Sequence, residues 1–296
     1  MNKEAQNWLG TPLLVASAVA YSSAGFYTRL IEVDVWTMLF WRGVFGGLFL
    51  VGMIVWRERR RTLVAVRAIG TTGVVIAACS AVATVCFINA MRLGSVADVL
   101  VIDATIPFLT AGIAWLLIGE REDRITLCAT LVALAGVVVV ARPAVAQGRI
   151  LGDLLALAMA VLMSTAMVLI RGRREVSMLP AVGLSAFLCA LIVVPFAHPL
   201  DIGASDLALL ALFGMSQFGL GLLLLALGTP LVSATRGALL GVLQTPLGTL
   251  WVWLAFAEAP VPATLLGGVL VLAAVVGDVM LPRQRCVAQS DYRGAS

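Results

Sequence analysis

The fold is decided by a stretch that occurs twice: residues 10–29, GTPLLVASAVAYSSAGFYTR, return in outline as residues 152–171, GDLLALAMAVLMSTAMVLIR. A single constant offset superposes Gly10 on Gly152, Ser22 on Ser164, and Arg29 on Arg171. Both copies are apolar and have the length at which a helix crosses the hydrocarbon core of a bilayer. The sequence therefore predicts a duplicated helical membrane protein.

The composition supports a membrane protein throughout the chain. Of 296 residues, 61% are hydrophobic and 12% are charged, whereas a soluble domain carries roughly 25% charged residues. The apolar residues form ten blocks of transmembrane length, so we expect an all-α integral membrane protein with no soluble catalytic domain. The predicted spans are residues 10–29, 36–56, 69–90, 94–118, 125–142, 152–170, 178–197, 205–227, 231–256 and 263–281.

The positions of the charged residues and of the cysteines limit which kinds of partner we expect. The net charge of +4 comes from basic residues near the ends of the spans, which indicates a lipid bilayer as the partner and not nucleic acid. The five cysteines lack the spacing of a disulfide framework or a zinc site. We expect no metal and no cofactor.

The distribution of the spans predicts their orientation. Five spans per half is an odd number, so the second half enters the membrane in the opposite sense, giving two inverted five-helix repeats around a central cavity. The first repeat is predicted over residues 1–143 and the second over 144–282, followed by a cytoplasmic tail at 283–296. The basic stretch 57–67 and the positive-inside rule place both termini in the cytoplasm, at a bacterial-type inner membrane.

A proline lies well inside the fourth span and another inside the ninth. These are Pro107 and Pro246. Because proline cannot donate to the carbonyl four residues back, we expect helix kinks with freed oxygens at Asp103 and Val242. One such kink is as compatible with packing as with a ligand, but a duplicated pair favours a role at the ligand site.

These segments resemble a known family. The run from Asn89 to Glu120, NAMRLGSVADVLVIDATIPFLTAGIAWLLIGE, and its partner from Ala226 to Glu258, ALGTPLVSATRGALLGVLQTPLGTLWVWLAFAE, combine with the twin segments and Arg42 in the second span. Together they resemble the EamA-type carriers of the drug/metabolite transporter superfamily over nearly the whole chain. The resemblance implies a ten-helix basket of inverted repeats that exports amino acids or other small metabolites. The layout is also similar to the branch that exports aromatic amino acids and methyl viologen.

Four charges within the spans need an explanation: Arg42, Asp98, Asp103 and Arg236. Each costs about 2.5 to 3.5 kcal/mol at the centre of a span unless it is paired or hydrated. Asp103, beside the kink, is expected to have a functional role. Arg42 and Asp98 approach the same outer side, either as a structural ion pair or as substrate contacts. Arg236 is expected to anchor its span by reaching to the inner surface.

Uncharged polar side chains complete the candidate cavity. For the twin pairs Ser22-Ser23 and Ser164-Thr165, packing is favoured over substrate contact because small residues let membrane helices approach closely. One face of the third span offers hydroxyls and a ring, and two glutamines in the eighth and ninth spans are possible partners. These candidates are Ser80, Thr84, Phe87, Gln217 and Gln244.

The sequence favours export of small amphipathic metabolites, including aromatic amino acids, by alternating access. A multidrug carrier or a carrier of phosphorylated or nucleotide-linked sugars is the alternative within the superfamily, although such anions usually need several basic groups. An intramembrane aspartyl enzyme is disfavoured, since Asp98 and Asp103 lie about 140° apart around a helix. We therefore expect a transporter and not an enzyme. A scaffold protein, the coupling to protons and the oligomeric state stay open.

Overall fold

The chain is described by a computed structural model over residues 3–59, 62–93, 99, 102–120, 122–141, 150–173, 175–257 and 262–280. Within these ranges the structure is helical and has no strand. The helices are α1 Lys3–Ser22, α2 Ala24–Leu30, α3 Val35–Glu58, α4 Thr62–Ala68, α5 Gly70–Leu93, α6 Ile106–Ile118, α7 Arg124–Ala141, α8 Ile150–Gly172, α9 Leu179–Val193, α10 Ala204–Leu212, α11 Leu220–Gly228, α12 Ala234–Gly241, α13 Gln244–Phe256 and α14 Pro262–Met280. A π-helix at Phe213–Gly219 joins α10 to α11, and 3₁₀ turns occupy Val194–Phe196 and Thr229–Leu231.

Seven helical stretches are long and apolar enough to cross a membrane. They are Leu9–Leu30, Val35–Glu58, Gly70–Ala90, Ile150–Gly172, Leu179–Phe196, Ala204–Leu231 and Ala234–Phe256. Three shorter apolar helices, at Ile106–Ile118, Arg124–Val139 and Leu265–Met280, lie where the other three spans are predicted. Each predicted block is therefore helical, and seven of them reach spanning length among the described residues.

The two proline kinks are short breaks between helices. Pro107 and Pro246 each lie in the first turn of a new helix, α6 and α13, where a missing N–H costs little. The expectation of a freed oxygen at Val242 is wrong, because that carbonyl accepts a hydrogen bond of 3.1 Å from the Thr245 N–H. A third break, at Ser23, divides the stretch predicted as one helix over residues 10–29.

Contacts between the two halves follow the sequence repeat. Helix α3 packs on its counterpart α9, and α7 packs on its counterpart α14. Helix α5 packs on α8, and the matching contact joins α11 to α1. Exchanging the halves therefore reproduces the same set of contacts, which places the core where the two copies meet.

Candidate substrate site

Arg42 lies in α3 among aromatic rings. Its guanidinium carbon is 4.4 Å from the ring centroid of Phe218 and 5.7 Å from that of Phe213. The buried Nε atom has no hydrogen-bond partner, and Arg42 forms no ion pair with any residue that the structure describes. Aromatic faces attract a cation, but they do not replace an anionic partner for a desolvated guanidinium.

The π-helix places both rings beside Arg42. In a π-helix the hydrogen bonds join residues five apart, so Phe213 and Phe218 project toward the same side. Close packing holds this segment against α3, since a Cβ atom added at Gly214 would lie 2.8 Å from Cβ of Phe45 and 3.0 Å from the carbonyl oxygen of Arg42. Tyr27 stacks on the ring of Phe213, with ring centroids 5.0 Å apart, and so helps to hold that ring in place.

Two further polar groups near Arg42 lack partners. The hydroxyl of Tyr21 and Oε1 of Gln217 are buried without a hydrogen bond from the described residues. Gln217 is positioned by its Nε2 atom, which donates to the Tyr21 carbonyl at 3.3 Å. Tyr21 and Cys189 both lie near Arg42. Because buried polar groups are normally hydrogen-bonded, this region has the unused hydrogen-bonding capacity that a polar ligand would need.

Asp103 is a second embedded charge that lacks a partner among the described residues. Its partly buried carboxylate makes no hydrogen bond or ion pair with a described residue. Its neighbour Ile102 packs in a cluster with Phe87 and Leu155. On the other side, Ala104 belongs to a buried cluster containing Leu14 and Ala18 of α1. Asp98 lies outside the described residues, so its pairing with Arg42 stays a prediction.

Arg236 does not reach to a membrane surface, and the anchoring expectation is wrong. Its Nε atom lies 2.8 Å from Oδ2 of Asp278, and the two side chains are only 6% and 1% exposed. Thr126 donates to the other oxygen of Asp278 at 2.7 Å. The pair therefore joins α12 to α7 and α14, and the charge of Arg236 is balanced within the protein.

The repeated serines make matching contacts between the halves. Ser22 of α1 accepts a hydrogen bond of 2.9 Å from the Trp251 indole in α13. Ser164 of α8 donates at 3.3 Å to the carbonyl of Ile106, at the start of α6. Each serine thus touches a broken helix of the other half, which supports the packing interpretation.

The other polar candidates are bonded within their own helices or packed beside the site. Ser23 donates to Ala20 at 2.7 Å, Thr165 to Val161 at 2.8 Å, and Thr84 to the Ser80 carbonyl at 3.0 Å. Phe87 packs near Ile102, while Gln244 begins α13 and is partly buried. These contacts give Ser23, Thr84 and Thr165 local structural partners.

A set of contacts at one end ties the halves together, and we call it the latch. Glu120 after α6 lies 3.0 Å from Arg171 at the end of α8, and Arg171 also donates to the carbonyl of Pro230. Ser233 donates to Oε2 of Glu122 at 3.0 Å. Burial raises the pKa of Glu122, and the hydrogen bond from Ser233 opposes that rise. The latch therefore joins the two halves at this end of the molecule.

An open acidic cavity of about 300 Å³ lies at the other end. Its lining residues are Glu32, Val33, Asp34, His198, Asp201, Ile202, Gly203 and Asp206. The loop at residues 197–203 is fixed to α3, since the His198 N–H donates to the Thr37 hydroxyl at 2.8 Å and the Trp41 indole donates to the Pro199 carbonyl at 3.2 Å. Among the described residues, no group of three His, Cys, Asp or Glu side chains could hold a metal ion.

The sequence matches the model of the EamA-like transporter family twice, over residues 8–142 and again over 150–279. The chain belongs to the EamA-like transporter family. The double match agrees with the repeat and makes this protein a multi-pass membrane protein of a transporter family in the drug/metabolite transporter superfamily. No curated protein matches the sequence. A solved crystal structure with 20% sequence identity superposes with a TM-score of 0.80, covering 93% of this chain and 99% of the other; at that identity the likeness concerns the fold alone.

Several residues of this EamA-like transporter were not found by sequence reasoning. Phe213 and Phe218 would lie about 140° apart on an α-helix, so only the π-helix explains their shared side. Tyr21 stands next to the repeated serines and gives no signal of its own. Asp278 could have been found, because a carboxylate inside an apolar helix is itself a signal.

Proposed function

We propose that this transporter exports small amphipathic metabolites, amino acids including aromatic ones, by alternating access. The observation that carries the proposal is Arg42, desolvated between the rings of Phe213 and Phe218 and lacking an anionic partner among the described residues. A carboxylate would pair with the guanidinium, and an aromatic side chain would suit the adjoining rings. Amino acids carry both groups on one small molecule.

Alternating access rests on the architecture. If the three shorter apolar helices also cross the membrane, the chain has ten spans, and five spans in each of the two repeats would invert the second half. The contacts related by exchanging the halves support the same arrangement. Inverted repeats let one bundle open to either side of the membrane when the halves exchange conformations. With the termini in the cytoplasm, the latch lies at the inner side of an inner-membrane exporter.

The charges argue against polyanionic substrates such as phosphorylated or nucleotide-linked sugars. Those anions need converging basic groups. Arg236, the other embedded arginine, is balanced by Asp278, so Arg42 alone is left for an anion among the embedded basic residues. One arginine suits one carboxylate.

Uptake of labelled phenylalanine into liposomes that contain the purified protein tests the proposal. We expect saturable uptake, and a loss of at least about tenfold in initial rate for Arg42→Gln, because a hydrogen bond to a charged group contributes about 1.5 to 3 kcal/mol. The control is Arg67→Gln, which removes an exposed basic residue from α4 and should leave the rate unchanged. The same experiment with an imposed pH gradient measures coupling to protons.

The proposal fails if the folded protein takes up no amino acid. It also fails if Arg42→Gln and Arg67→Gln transport alike. Saturable uptake of a cationic drug in place of amino acids would favour the multidrug alternative.

A further inference from the structure

We propose that the hydroxyl of Tyr21 binds the substrate carboxylate together with the guanidinium of Arg42, so that two donors from different helices hold one carboxylate group. This inference rests on the proposed function and names the chemical group that this site selects. It assigns Tyr21, which lies in the last turn of α1, a direct contact with the substrate.

The hydroxyl of Tyr21 has no hydrogen-bond partner within the part of the chain that the structure describes. It is buried, and no side chain or backbone group among the described residues bonds to it. The hydroxyl of a buried tyrosine usually finds a partner, because its desolvation is otherwise uncompensated. Tyr21 therefore offers a hydrogen bond that no described residue uses.

Tyr21 and Arg42 have Phe218 as a common neighbour. Tyr21 packs against the buried cluster that contains Phe218, and the ring centroid of Phe218 lies 4.4 Å from the guanidinium carbon of Arg42. A Cβ atom at Gly221, three residues after Phe218, would lie 3.1 Å from Cζ of Tyr21, the carbon atom that carries the hydroxyl. The phenol end of Tyr21 therefore reaches the helical segment that also contacts the guanidinium, and each of the two groups lies in the electrostatic surroundings of the other.

The π-helix positions both donors. Gln217 donates from Nε2 to the Tyr21 carbonyl at 3.3 Å, which ties the end of α1 to this segment. The backbone of Arg42 packs on Gly214 of the same segment, where an added Cβ atom would lie 3.0 Å from the Arg42 carbonyl oxygen. One element of the second half thus holds two side chains of the first half in place, and such support from neighbouring groups is what a preorganised binding site requires.

The chemistry of the two groups selects an anion with two acceptor atoms. A guanidinium donates only, so Arg42 cannot accept a hydrogen bond from the Tyr21 hydroxyl. A water molecule would accept that hydrogen bond but would leave the charge of Arg42 unbalanced. A carboxylate accepts from both donors through its two oxygens and also balances the charge. The hydroxyl should therefore strengthen the preference of the site for a carboxylate over a neutral group of similar size.

Equilibrium binding by titration calorimetry tests this, using the full-length protein with phenylalanine and with phenylalaninol, in which a neutral hydroxymethyl group replaces the carboxylate. Tyr21→Phe removes the hydroxyl and keeps the ring. It should weaken phenylalanine binding by about tenfold or more, as expected for one hydrogen bond to a charged group, and phenylalaninol binding by no more than about twofold. The matched control is Thr130→Val, which removes a buried hydroxyl that donates to the Thr126 carbonyl within α7 and should change neither affinity.

Thermal unfolding without ligand distinguishes a contact with the substrate from a packing role. A buried hydroxyl without a partner destabilises the fold, so the unfolding midpoint of Tyr21→Phe should equal or exceed that of the wild type. A lower midpoint would mean that the hydroxyl supports the fold, and the inference would be wrong. If phenylalaninol binds too weakly to measure, the midpoint and the loss of phenylalanine affinity decide together.

The outcomes separate the inference from the proposed function. If Tyr21→Phe weakens both ligands alike, or leaves phenylalanine binding unchanged, the contact with the carboxylate is wrong. The proposed function still stands in that case, provided that phenylalanine binding depends on Arg42. If the wild type does not bind phenylalanine, both fail.

Discussion

Arg236 and Asp278 are buried side by side, with Nε and Oδ2 2.8 Å apart, and each charge balances the other. Asp278→Asn removes the balancing charge and leaves a desolvated guanidinium. Breaking a buried pair in this way costs about 3 to 5 kcal/mol. We expect a clear fall in the thermal unfolding midpoint of the detergent-purified protein, followed by its tryptophan fluorescence.

Replacing both partners tests the electrostatic explanation. Apolar residues of similar size often substitute for a buried pair at little cost, so the double variant Arg236→Met with Asp278→Leu should regain most of the lost stability. Asp201→Asn, at an exposed carboxylate, should not shift the midpoint. If the double variant is less stable than Asp278→Asn, the pair contributes more than mutual charge balance.

At the scale of elements, the π-helix depends on close contact with α3. A Cβ atom at Gly214 would lie 3.0 Å from the Arg42 carbonyl and 3.1 Å from the Gly46 nitrogen, which are backbone atoms that cannot turn away. Gly214→Ala should therefore push the two segments apart and cost about 1 to 3 kcal/mol. Because Phe213 and Phe218 would move away from Arg42, we also expect phenylalanine uptake to fall.

Helix α3 offers a control for this change. A Cβ atom at Gly52 would meet no atom within 4 Å, so Gly52→Ala should leave uptake unchanged and should not lower stability. If Gly52→Ala and Gly214→Ala lose uptake equally, the loss does not depend on the contact between α3 and the π-helix. That result would refute a specific role for this contact.

The elements also show how much of this structure could be predicted from the sequence. The repeat, the apolar blocks and the breaks beside Pro107 and Pro246 follow from helix length and proline chemistry, so they could be predicted. Arg42 and Asp103 stood out because embedded charges are costly. The rings around Arg42 could not be predicted, since periodicity assumes an α-helix, and the π-helix shifts which residues share a side. The partner of Arg236 lies far along the chain in another helix, and only tertiary packing joins them.

For the whole molecule, alternating access requires that contacts between the halves break at one end. The latch is such a set of contacts, because Glu120 and Glu122 belong to the first half, whereas Arg171 and Ser233 belong to the second. We expect the ion pair between Glu120 and Arg171 to hold this end closed. Neutralising Glu120 should therefore shift the population toward molecules that are open at this end.

Glu122 makes the prediction specific, because neutralising it should have the opposite effect to neutralising Glu120. Burial raises the pKa of Glu122 in the latched form, so this side chain binds a proton more readily there than it would in water. Its contribution to closure is present at low pH and is lost as the pH rises through the raised pKa. Glu122→Gln resembles the protonated form and should keep the end closed, whereas Glu120→Gln should open it.

Thiol labelling measures the two opposite effects in one experiment. Thr229 is buried in the 3₁₀ turn next to Pro230, so Thr229→Cys, with the five native cysteines replaced by alanine, reports opening of this end. A water-soluble maleimide should react several-fold faster in Glu120→Gln, since an ion pair in a partly buried setting contributes about 1 kcal/mol. Glu122→Gln should label no faster than the parent. Because the two glutamates lie close together in one loop, equal acceleration in both would indicate general loosening of the loop and would exclude the ion pair as the contact that controls this end.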